Sequence, residues 1–464
     1  MRVSHTVPVV AASFDEPNLV SCAGLVPVMG LAGRAGLADL AERYLTVPAD
    51  KGANAGGKVT ALVAGMVAGA DSIDDMALLR HGGMARLFDR TYAPSTLGSF
   101  LRSFAFGHVR QLDAVASRFL TGLVAATPLL DDIDGSVFVD VDDTIIEVHG
   151  YAKQGAGFGY SGVRGLNALL ATVSTPGAAP VIVAQRLRAG KANSARGAKR
   201  LVADALSTLA RLRPPDAGAL VLVRADSAFY GHPTVHAALA AGAQVSVTVR
   251  MDPKVKAAIS AIADDAWTAI NYTDAIFDEQ TQAWISRAEV AEISFTAFSS
   301  RKASERVAGR LVVRRVPDLG PKAGDGQQSL FNIWRFHAFF TTSDLDTVTA
   351  DKTHRAHAVI EQVNADLKNS ALAHLPSGRF AANAAWLVLA AIAFNLTRAA
   401  GSVAGGRLRK ATTATIRRTL INVAARIATS ARRTRLHLPT AWPWEQAWTA
   451  LFRHGCGPPT AATT

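Results

Sequence analysis

Cysteine is nearly absent from this sequence, and so is any recognisable export signal. Only Cys22 and Cys456 occur in 464 residues, which is too few for a disulfide framework or a cysteine-based metal site. At the N-terminus, Arg2 precedes a short apolar patch followed by Asp15 and Glu16, so the long apolar core of a secretion signal is missing. We therefore expect a protein of the reducing cytoplasm.

Acidic residues are missing from a long part of the C-terminal region. No Asp or Glu occurs between Leu367 and Trp444, whereas twelve Lys and Arg residues do. The whole chain has a formal net charge of +12 and a pI of about 10.0. Solvated helix faces normally mix both signs of charge, so this stretch favours a surface that binds the phosphates of nucleic acid. Arg417 and Arg418 are candidates for such contacts.

No apolar run is long enough to favour a membrane span. The most apolar stretch, residues 381–396, contains Asn383 and Asn395. It is shorter than the ~20 residues that a span needs, so it predicts a buried helix. Hydrophobic residues make up 49% of the chain and charged residues 19%, which suffices for a sizeable core.

Changes in hydrophobic periodicity divide the chain into five regions. Residues 1–130 are predicted to be helical. Residues 131–250 show strand, strand, strand, helix, strand, helix, strand, which is the element order of a ribonuclease H-like core. Residues 251–335 predict a β-rich insertion, 336–400 the second part of the core, and 401–464 a basic helical tail. The expected fold class is therefore α/β, with a ribonuclease H-like mixed sheet.

Acidic residues collect at the ends of two predicted strands. The strand VFVDVDDTII carries Asp140, Asp142 and Asp143. Side chains two apart in a strand share a face, so Asp140 and Asp142 point one way and Asp143 the other. Asp226 ends a later apolar strand. In a ribonuclease H-like sheet these two strands are neighbours, so Asp226 is expected to face the first pair.

A third acid lies on a predicted helix near residue 361. At ~100° per residue, His354, His357, Glu361 and Lys368 fall within about 60° of each other. One acid among cations suits a metal ligand beside DNA phosphates, although an ordinary solvated helix face has the same pattern. Two aspartates and a glutamate are enough to hold two Mg²⁺ ions, which in such sites lie about 4 Å apart. Without a cation, grouped carboxylates raise each other's pKa.

These motifs together resemble the DDE transposases of bacterial insertion sequences. The strongest match is RADSAFYG, residues 224–231, with IEQVNADLKN, residues 360–369. The resemblance is to the cut-and-paste branch, which carries a β insertion between its second Asp and its Glu. It implies that Asp142, Asp226 and Glu361 hold two Mg²⁺ ions, with Mn²⁺ as a substitute. The family's Asp-x-Thr pattern favours Asp142 as the first ligand, and Asp140 is the alternative.

The resemblance also implies an activity and its partners. The expected reactions are cleavage at the inverted-repeat ends of a transposon and strand transfer into target DNA, by a homodimer in a synaptic complex. The branch has a helix signature, Tyr-x2-Arg-x3-Glu-x6-Lys. Here His354 and His357 replace Tyr and Arg, while Glu361 and Lys368 match. Lys368 and His357 are thus candidate DNA contacts, and Trp284 is a candidate for stacking on a flipped base.

Three other interpretations of the same residues stay open at this stage. Asp-x-Asp-x-Thr is also the first motif of haloacid dehalogenase-like phosphatases, in which Asp140 is the nucleophile and Asp142 the general acid. That fold requires parallel strands and a late acidic motif, which GDGQQS at 324–329 does not supply. The spacing of His354, His357 and Glu361 would also fit zinc. Finally, the chain could be a DNA-binding protein without catalytic activity.

Overall fold

The computed structural model describes residues 11–48, 52–159, 161–278, 283–317, 334–430 and 433–457. A mixed sheet of ten strands organises these residues. In chain order its strands are β2 Val137–Glu147, β3 Gly157–Phe158, β4 Arg164–Ser174, β5 Val181–Ala189, β6 Val221–Ala225, β7 Gln244–Thr248, β8 Thr268–Asp278, β9 Ala283–Ala297, β10 Val307–Pro317 and β11 Trp334–Thr341. A smaller sheet joins β1 Leu19–Val20 to β12 Ala425–Ser430 and β13 Arg433–His437.

Helices cover the large sheet and build the N-terminal region. In chain order they are α1 Leu25–Arg34, α2 Leu37–Tyr44, α3 Ala55–Ala68, α4 Pro94–Arg102, α5 Phe106–Ala126, α6 Ala198–Leu212, α7 His232–Ala240, α8 Pro253–Ser260, α9 Thr347–Arg355, α10 Val359–Lys368, α11 Phe380–Ala404, α12 Thr413–Ile416 and α13 Glu445–Cys456. The predicted mixture of helices and strands is therefore observed.

The strand β2 lies in the middle of the first half of the large sheet. It pairs antiparallel with β4, and β4 pairs antiparallel with β5. On its other side β2 pairs parallel with β6, and β6 pairs parallel with β7. The strand order is thus β5-β4-β2-β6-β7. This confirms the prediction that the first and fourth strands of the 131–250 region are neighbours.

The region 251–335 contains the predicted strands, and they continue the same sheet. The strand β11 pairs antiparallel with β7, and β10, β9 and β8 follow outwards in that order. The sheet is wide because β11, which follows β8–β10 in the chain, pairs with the core strand β7 and so joins these strands to the core. A sequence pattern shows that these strands exist, but the pairing of β11 with β7 depends on contacts between distant residues.

The helix α11 is the central helix of the fold. It has 25 residues, and 89% of its most apolar 18-residue window is buried, as expected for a core helix. Length and composition alone would also allow it to cross a membrane. It packs against α3, α5 and β5. The predicted buried helix is therefore found, and it continues through Ala404 into the region that the sequence assigned to the basic helical tail.

The C-terminal region differs from the predicted basic helical tail. The strands β12 and β13 pair antiparallel in this region, and Ala425 of β12 pairs with Val20 of β1. The helix α13 packs on α1, where backbone approaches backbone at two glycines. A Cβ atom at Gly30 would lie only 2.3 Å from the carbonyl oxygen of Gly455. One hydrophobic core extends from Val20 to Leu451, so the two ends of the described chain fold together.

One buried amide of α11 satisfies the backbone of the strand β5. Asn395 accepts a hydrogen bond from the Ile182 amide at 2.9 Å and donates to the Ile182 carbonyl at 2.7 Å. Asn395 is only 4% exposed, so water does not replace these bonds. Within the described residues β5 pairs only with β4, and this amide therefore covers part of an otherwise open sheet edge.

We predict that Asn395→Leu lowers the free energy of unfolding by about 2 to 4 kcal/mol, because two buried backbone groups lose their partners. Urea unfolding followed by circular dichroism measures the change. The matched control is Asn369→Leu at the exposed end of α10, which should change stability by less than about 0.5 kcal/mol. Equal stability of the two variants would contradict the role given to Asn395.

Candidate active site

Asp140, the alternative first ligand, forms a buried ion pair with an arginine. Its side chain is 0% exposed, and both carboxylate oxygens accept hydrogen bonds from Arg224, at 2.7 and 2.8 Å. Arg224 also donates to the Thr353 carbonyl of α9 at 2.6 Å. Burial raises the pKa of Asp140, and the charge of Arg224 opposes that shift. The pair thus ties β2 and β6 to the helix that leads towards Glu361.

The side chain of Asp143 points to the opposite face of β2, as the strand periodicity predicts. Arg188 donates to its Oδ2 atom at 2.6 Å, and Asn167 donates to the same oxygen at 2.5 Å. The Arg188 and Asp143 side chains are 6% and 4% exposed, respectively. A second buried ion pair therefore lies on the face of β2 opposite Asp142, and its hydrogen bonds connect β2 to β4 and β5.

Of the three clustered aspartates of β2, Asp142 is the one that has no cationic hydrogen-bond partner among the described residues. Its Oδ2 atom accepts a hydrogen bond from Asn364 of α10 at 2.7 Å. The pKa of Asp142 is raised to about 7: burial raises it most, a backbone hydrogen bond from Asp143 lowers it, and the negative charges of Asp143, Asp226 and Glu361 raise it. Asp142 therefore lies within the electric field of both other predicted site acids.

Asp226 lies directly after β6, where it caps a short 3₁₀ turn. Its Oδ1 atom accepts a hydrogen bond from the Ala228 amide at 3.0 Å. Burial raises its pKa, the Ala228 amide lowers it, Asp143 raises it, and His357 lowers it. The parallel pairing of β2 and β6 brings Asp226 and Asp142 to the same edge of the sheet.

Glu361 and Lys368 are both exposed on α10. The Lys368 Nζ atom lies 3.3 Å from the Thr144 Oγ1 atom, two residues beyond Asp142. Asn364, one helical turn after Glu361, contacts Asp142 itself. Side chains from β2, the end of β6 and α10 therefore meet in one region, and this region contains all three predicted acids and Lys368.

The predicted common helix face of His354, His357, Glu361 and Lys368 is wrong for His354. Residues Ala356–Ala358 form a 3₁₀ turn that separates α9 from α10, and the tighter turn changes the direction of the side chains before it. His354 is consequently buried, with Ser246 Oγ 2.9 Å from its Nδ1 atom and Thr248 Oγ1 3.0 Å from its Nε2 atom. It stacks on Phe339 with a ring separation of 4.0 Å.

His357 lies closer to the acids than His354 does. It is half-buried, and its Nδ1 atom is 3.2 Å from the His354 carbonyl oxygen. Its charge lowers the pKa of both Asp140 and Asp226. His357 therefore lies between the two strand-end aspartates and the Glu361 helix. This position is compatible with the predicted contact between His357 and a bound DNA strand.

The competing interpretations meet specific obstacles in this geometry. Both ring nitrogens of His354 have hydroxyl partners, which leaves neither for zinc. Within the described residues no group of three or more His, Cys, Asp or Glu side chains is arranged to hold a metal ion. The phosphatase interpretation fails on topology, because antiparallel β4 and β5 follow β2. It also requires a free nucleophile, whereas Arg224 holds Asp140.

The two arginines predicted to contact DNA have different environments. Arg417 donates from Nε to the Val67 carbonyl oxygen at 3.1 Å, and burial lowers its pKa. Arg418, the next residue, is exposed. Arg417 therefore supports the end of α3, while Arg418 is available to a partner. The side chain of Trp284 lies outside the described part of the structure.

Sequence reasoning missed the residues that hold the acids in place: Arg224, Asn364, Arg188 and Asn167. Two signals were present. Arg224 interrupts an apolar strand two residues before Asp226, and Asn364 follows Glu361 at helical spacing. The sequence does not show that Arg224 pairs with Asp140. This follows from the register of β2 and β6, which places the two residues opposite each other.

Comparison with known proteins agrees with this arrangement. No curated protein matches the chain. A family model described as "Transposase DDE domain group 1" matches residues 4–454, which is nearly the whole chain. With strand-end aspartates and a helical glutamate at one sheet edge, this match shows that the chain belongs to the family of transposase DDE domains, group 1.

Proposed function

We propose that the protein cleaves DNA at the ends of its own transposon and joins those ends to target DNA, with Asp142, Asp226 and Glu361 as the metal-binding acids. Membership of the transposase family supports a transposase role. The observation that carries the finer proposal is the electrostatic coupling at Asp142, where Asp226 and Glu361 both act on one carboxylate. These acids come from three separate elements, so no local structural reason brings them together.

We also propose that the core is ribonuclease H-like. The order β5-β4-β2-β6-β7, with three antiparallel strands followed by two parallel ones, supports this assignment. In such a sheet the first and fourth strands present their side chains at one edge. Asp142 is a better first ligand than Asp140, because Arg224 already occupies both oxygens of Asp140.

The donor set fits a divalent cation in its chemistry. Mg²⁺ prefers carboxylate oxygens and keeps several waters, so three acidic side chains suffice, and Mn²⁺ is a suitable substitute. Burial and, after it, the charges of Asp143, Asp226 and Glu361 raise the pKa of Asp142, and a bound cation would favour the ionised carboxylate. The described acids are not spaced as a formed metal centre.

The chain's own residues position the reacting groups. Bound divalent cations activate the attacking oxygen and stabilise the leaving oxygen of a phosphodiester. Asn364 orients Asp142, and Arg224 fixes the junction between β2, β6 and the end of α9. The Lys368 ammonium lies beside the Thr144 hydroxyl, where it would neutralise a phosphate next to the cleaved bond. The proposed reaction is in-line hydrolysis and transesterification, without a covalent protein–DNA intermediate.

DNA recognition is proposed to rest on the basic C-terminal region and the N-terminal helices that fold against it. The stretch without acidic residues places exposed cations such as Arg418 on this part of the molecule. Double-stranded DNA carrying the inverted-repeat ends is the proposed partner. Because two ends must be processed together, a homodimer is the proposed active assembly.

We predict that Glu361→Gln lowers transposon excision at least roughly 100-fold, because the loss of a ligand removes several kcal/mol of transition-state stabilisation. Binding of the same DNA should be retained. A plasmid that carries the gene with its natural flanking DNA reports excision. Glu445→Gln, an exposed glutamate at the start of α13, is the matched control and should excise normally. Full excision by Glu361→Gln would refute the assignment and favour a non-catalytic DNA-binding protein.

We predict that Asp142→Asn raises the melting temperature in chelator at pH 8. The pKa of about 7 lies above the ordinary value of 3.8, so ionised Asp142 destabilises the fold at this pH. Adding Mg²⁺ should raise the melting temperature of the unaltered protein and have little effect on the variant. Differential scanning fluorimetry measures both shifts. Equal responses to Mg²⁺ would remove Asp142 from the metal site.

Arg418→Gln should weaken DNA binding equally for all sequences and reduce the slope of log K against log salt concentration by about 1, as the loss of one phosphate contact requires. Fluorescence anisotropy at several salt concentrations gives the slope. Arg417→Gln is the informative partner variant. Because Arg417 bonds to the Val67 carbonyl, it should lower stability and leave the salt slope unchanged. An unchanged slope for Arg418→Gln would exclude its phosphate contact.

A further inference from the structure

Two aromatic side chains are strongly exposed on the loop that follows the site strand β2. Tyr151 is 92% exposed and Phe158 is 66% exposed. Both belong to residues 148–159, which we call the aromatic loop. Exposure of a large aromatic ring to water is unfavourable, and a partner that covers the ring removes this cost. Both rings keep most of their surface open to solvent, so the loop presents aromatic surface on which a planar group can stack.

The aromatic loop is held in place by hydrogen bonds on both sides. The Gln154 amide donates to the Gly378 carbonyl at 2.9 Å, and the Phe380 amide donates to the Gln154 side chain at 3.1 Å. On the other side, the Gly190 amide donates to the Gly155 carbonyl at 3.0 Å. The rings are therefore presented from a loop anchored to α11 and to the end of β5, and their exposure does not result from a loop without contacts.

Glycines make this anchoring compatible with close backbone packing. A Cβ atom at Gly190 would lie 2.4 Å from the Gly157 carbonyl oxygen, and one at Gly159 would lie 2.5 Å from the Gly190 carbonyl oxygen. Gly155 has a φ of +80°, which a larger residue adopts only with strain. The glycine-rich sequence is thus explained by the shape of the loop, and the loop shape determines where the two rings stand.

The aromatic loop lies near the acidic site. Gly155 packs against Leu166, where a Cβ atom would be 3.3 Å from the Leu166 side chain, and Leu166 lies opposite Ile146 of β2. Ile146 is four residues beyond Asp142 on the same face of β2, or roughly 13 Å along a strand at ~3.3 Å per residue. A DNA strand cut at Asp142 would therefore reach the loop within a few nucleotides.

The charges around the loop favour a polyanion. The Arg164 guanidinium lies 4.9 Å from the centre of the Tyr151 ring and also donates to the Gly150 carbonyl. Lys191 is exposed next to the loop anchor, and Lys368 reaches Thr144 on the same strand. Glu147, also exposed, is the acid nearest along the chain. Aromatic rings among cations are the usual surface for single-stranded nucleic acid, because each base offers a face for stacking and each phosphate a charge.

We propose that Tyr151 and Phe158 stack on unpaired bases of the DNA strand beside the cleavage site, so that the protein prefers frayed or single-stranded ends to intact duplex. This inference rests on the proposed function, since that function places DNA at Asp142. Stacking on one base changes affinity by roughly tenfold, so two rings can give a large preference for forked over paired DNA.

The test compares two DNA probes of one sequence, a fully paired duplex and a fork with five unpaired nucleotides per arm. Binding is measured with the full-length Glu361→Gln protein, so that neither probe is cut. 2-Aminopurine in one arm reports base stacking. We expect at least roughly tenfold tighter binding of the fork, and quenching of the 2-aminopurine signal. The double variant Tyr151→Ala, Phe158→Ala should lose both, whereas Tyr151→Phe keeps the ring and should retain them.

Phe106→Ala is the matched control, because Phe106 is 73% exposed at the start of α5. It should keep the fork preference, and circular dichroism should show that every variant is folded. Equal affinity for the fork and the duplex, or a preference that survives the double variant, would overturn the inference. A change in oligomeric state without a change in fork preference would assign the rings to a second copy of the chain instead. Excision by the unaltered protein, measured separately, shows whether the proposed function itself holds.

Discussion

The buried ion pair between Asp140 and Arg224 is the interaction on which the site region depends. Arg224 holds both oxygens of Asp140 across the β2–β6 pair and binds the last turn of α9 through the Thr353 carbonyl. Removing one partner of such a pair leaves an uncompensated charge in the core and typically costs about 3 to 5 kcal/mol. This pair therefore fixes the two strands and the helix that carry the candidate acids relative to one another.

Among the three clustered aspartates of β2, two are paired with a buried arginine and one is not. Arg224 neutralises Asp140, and Arg188 neutralises Asp143 on the opposite face. Among the described residues, Asp142 has only the neutral amide of Asn364 as a side-chain hydrogen-bond partner, and it lies near two further acids. Proteins generally avoid such unbalanced burial and tolerate it where function requires it. The contrast among three nearly adjacent aspartates is what singles out Asp142 as a candidate ligand.

The elements that sequence reasoning predicted well are those with a strong local pattern. Val137, Val139 and Val141 make β2 recognisable, and the apolar run at 381–396 marks α11. The failures occur where distant residues decide. The 3₁₀ turn at Ala356–Ala358 precedes the helix of Glu361 and leaves His354 in the core, and β12 forms where Leu19 and Val20 supply a partner strand. Neither a buried pocket nor a partner strand can be seen in a local window.

The sequence by itself determined that acids stand at the ends of two apolar strands and on one helix, because the two-residue and 3.6-residue periods are local properties of the backbone. The tertiary structure alone decided which of the three aspartates of β2 lacks an arginine partner among the described residues. That choice depends on the register that sets Arg224 opposite Asp140 and on the β4–β5 pairing that brings Arg188 to Asp143. Register is set by packing over the whole sheet, so neighbouring residues with the same chemistry acquire different roles.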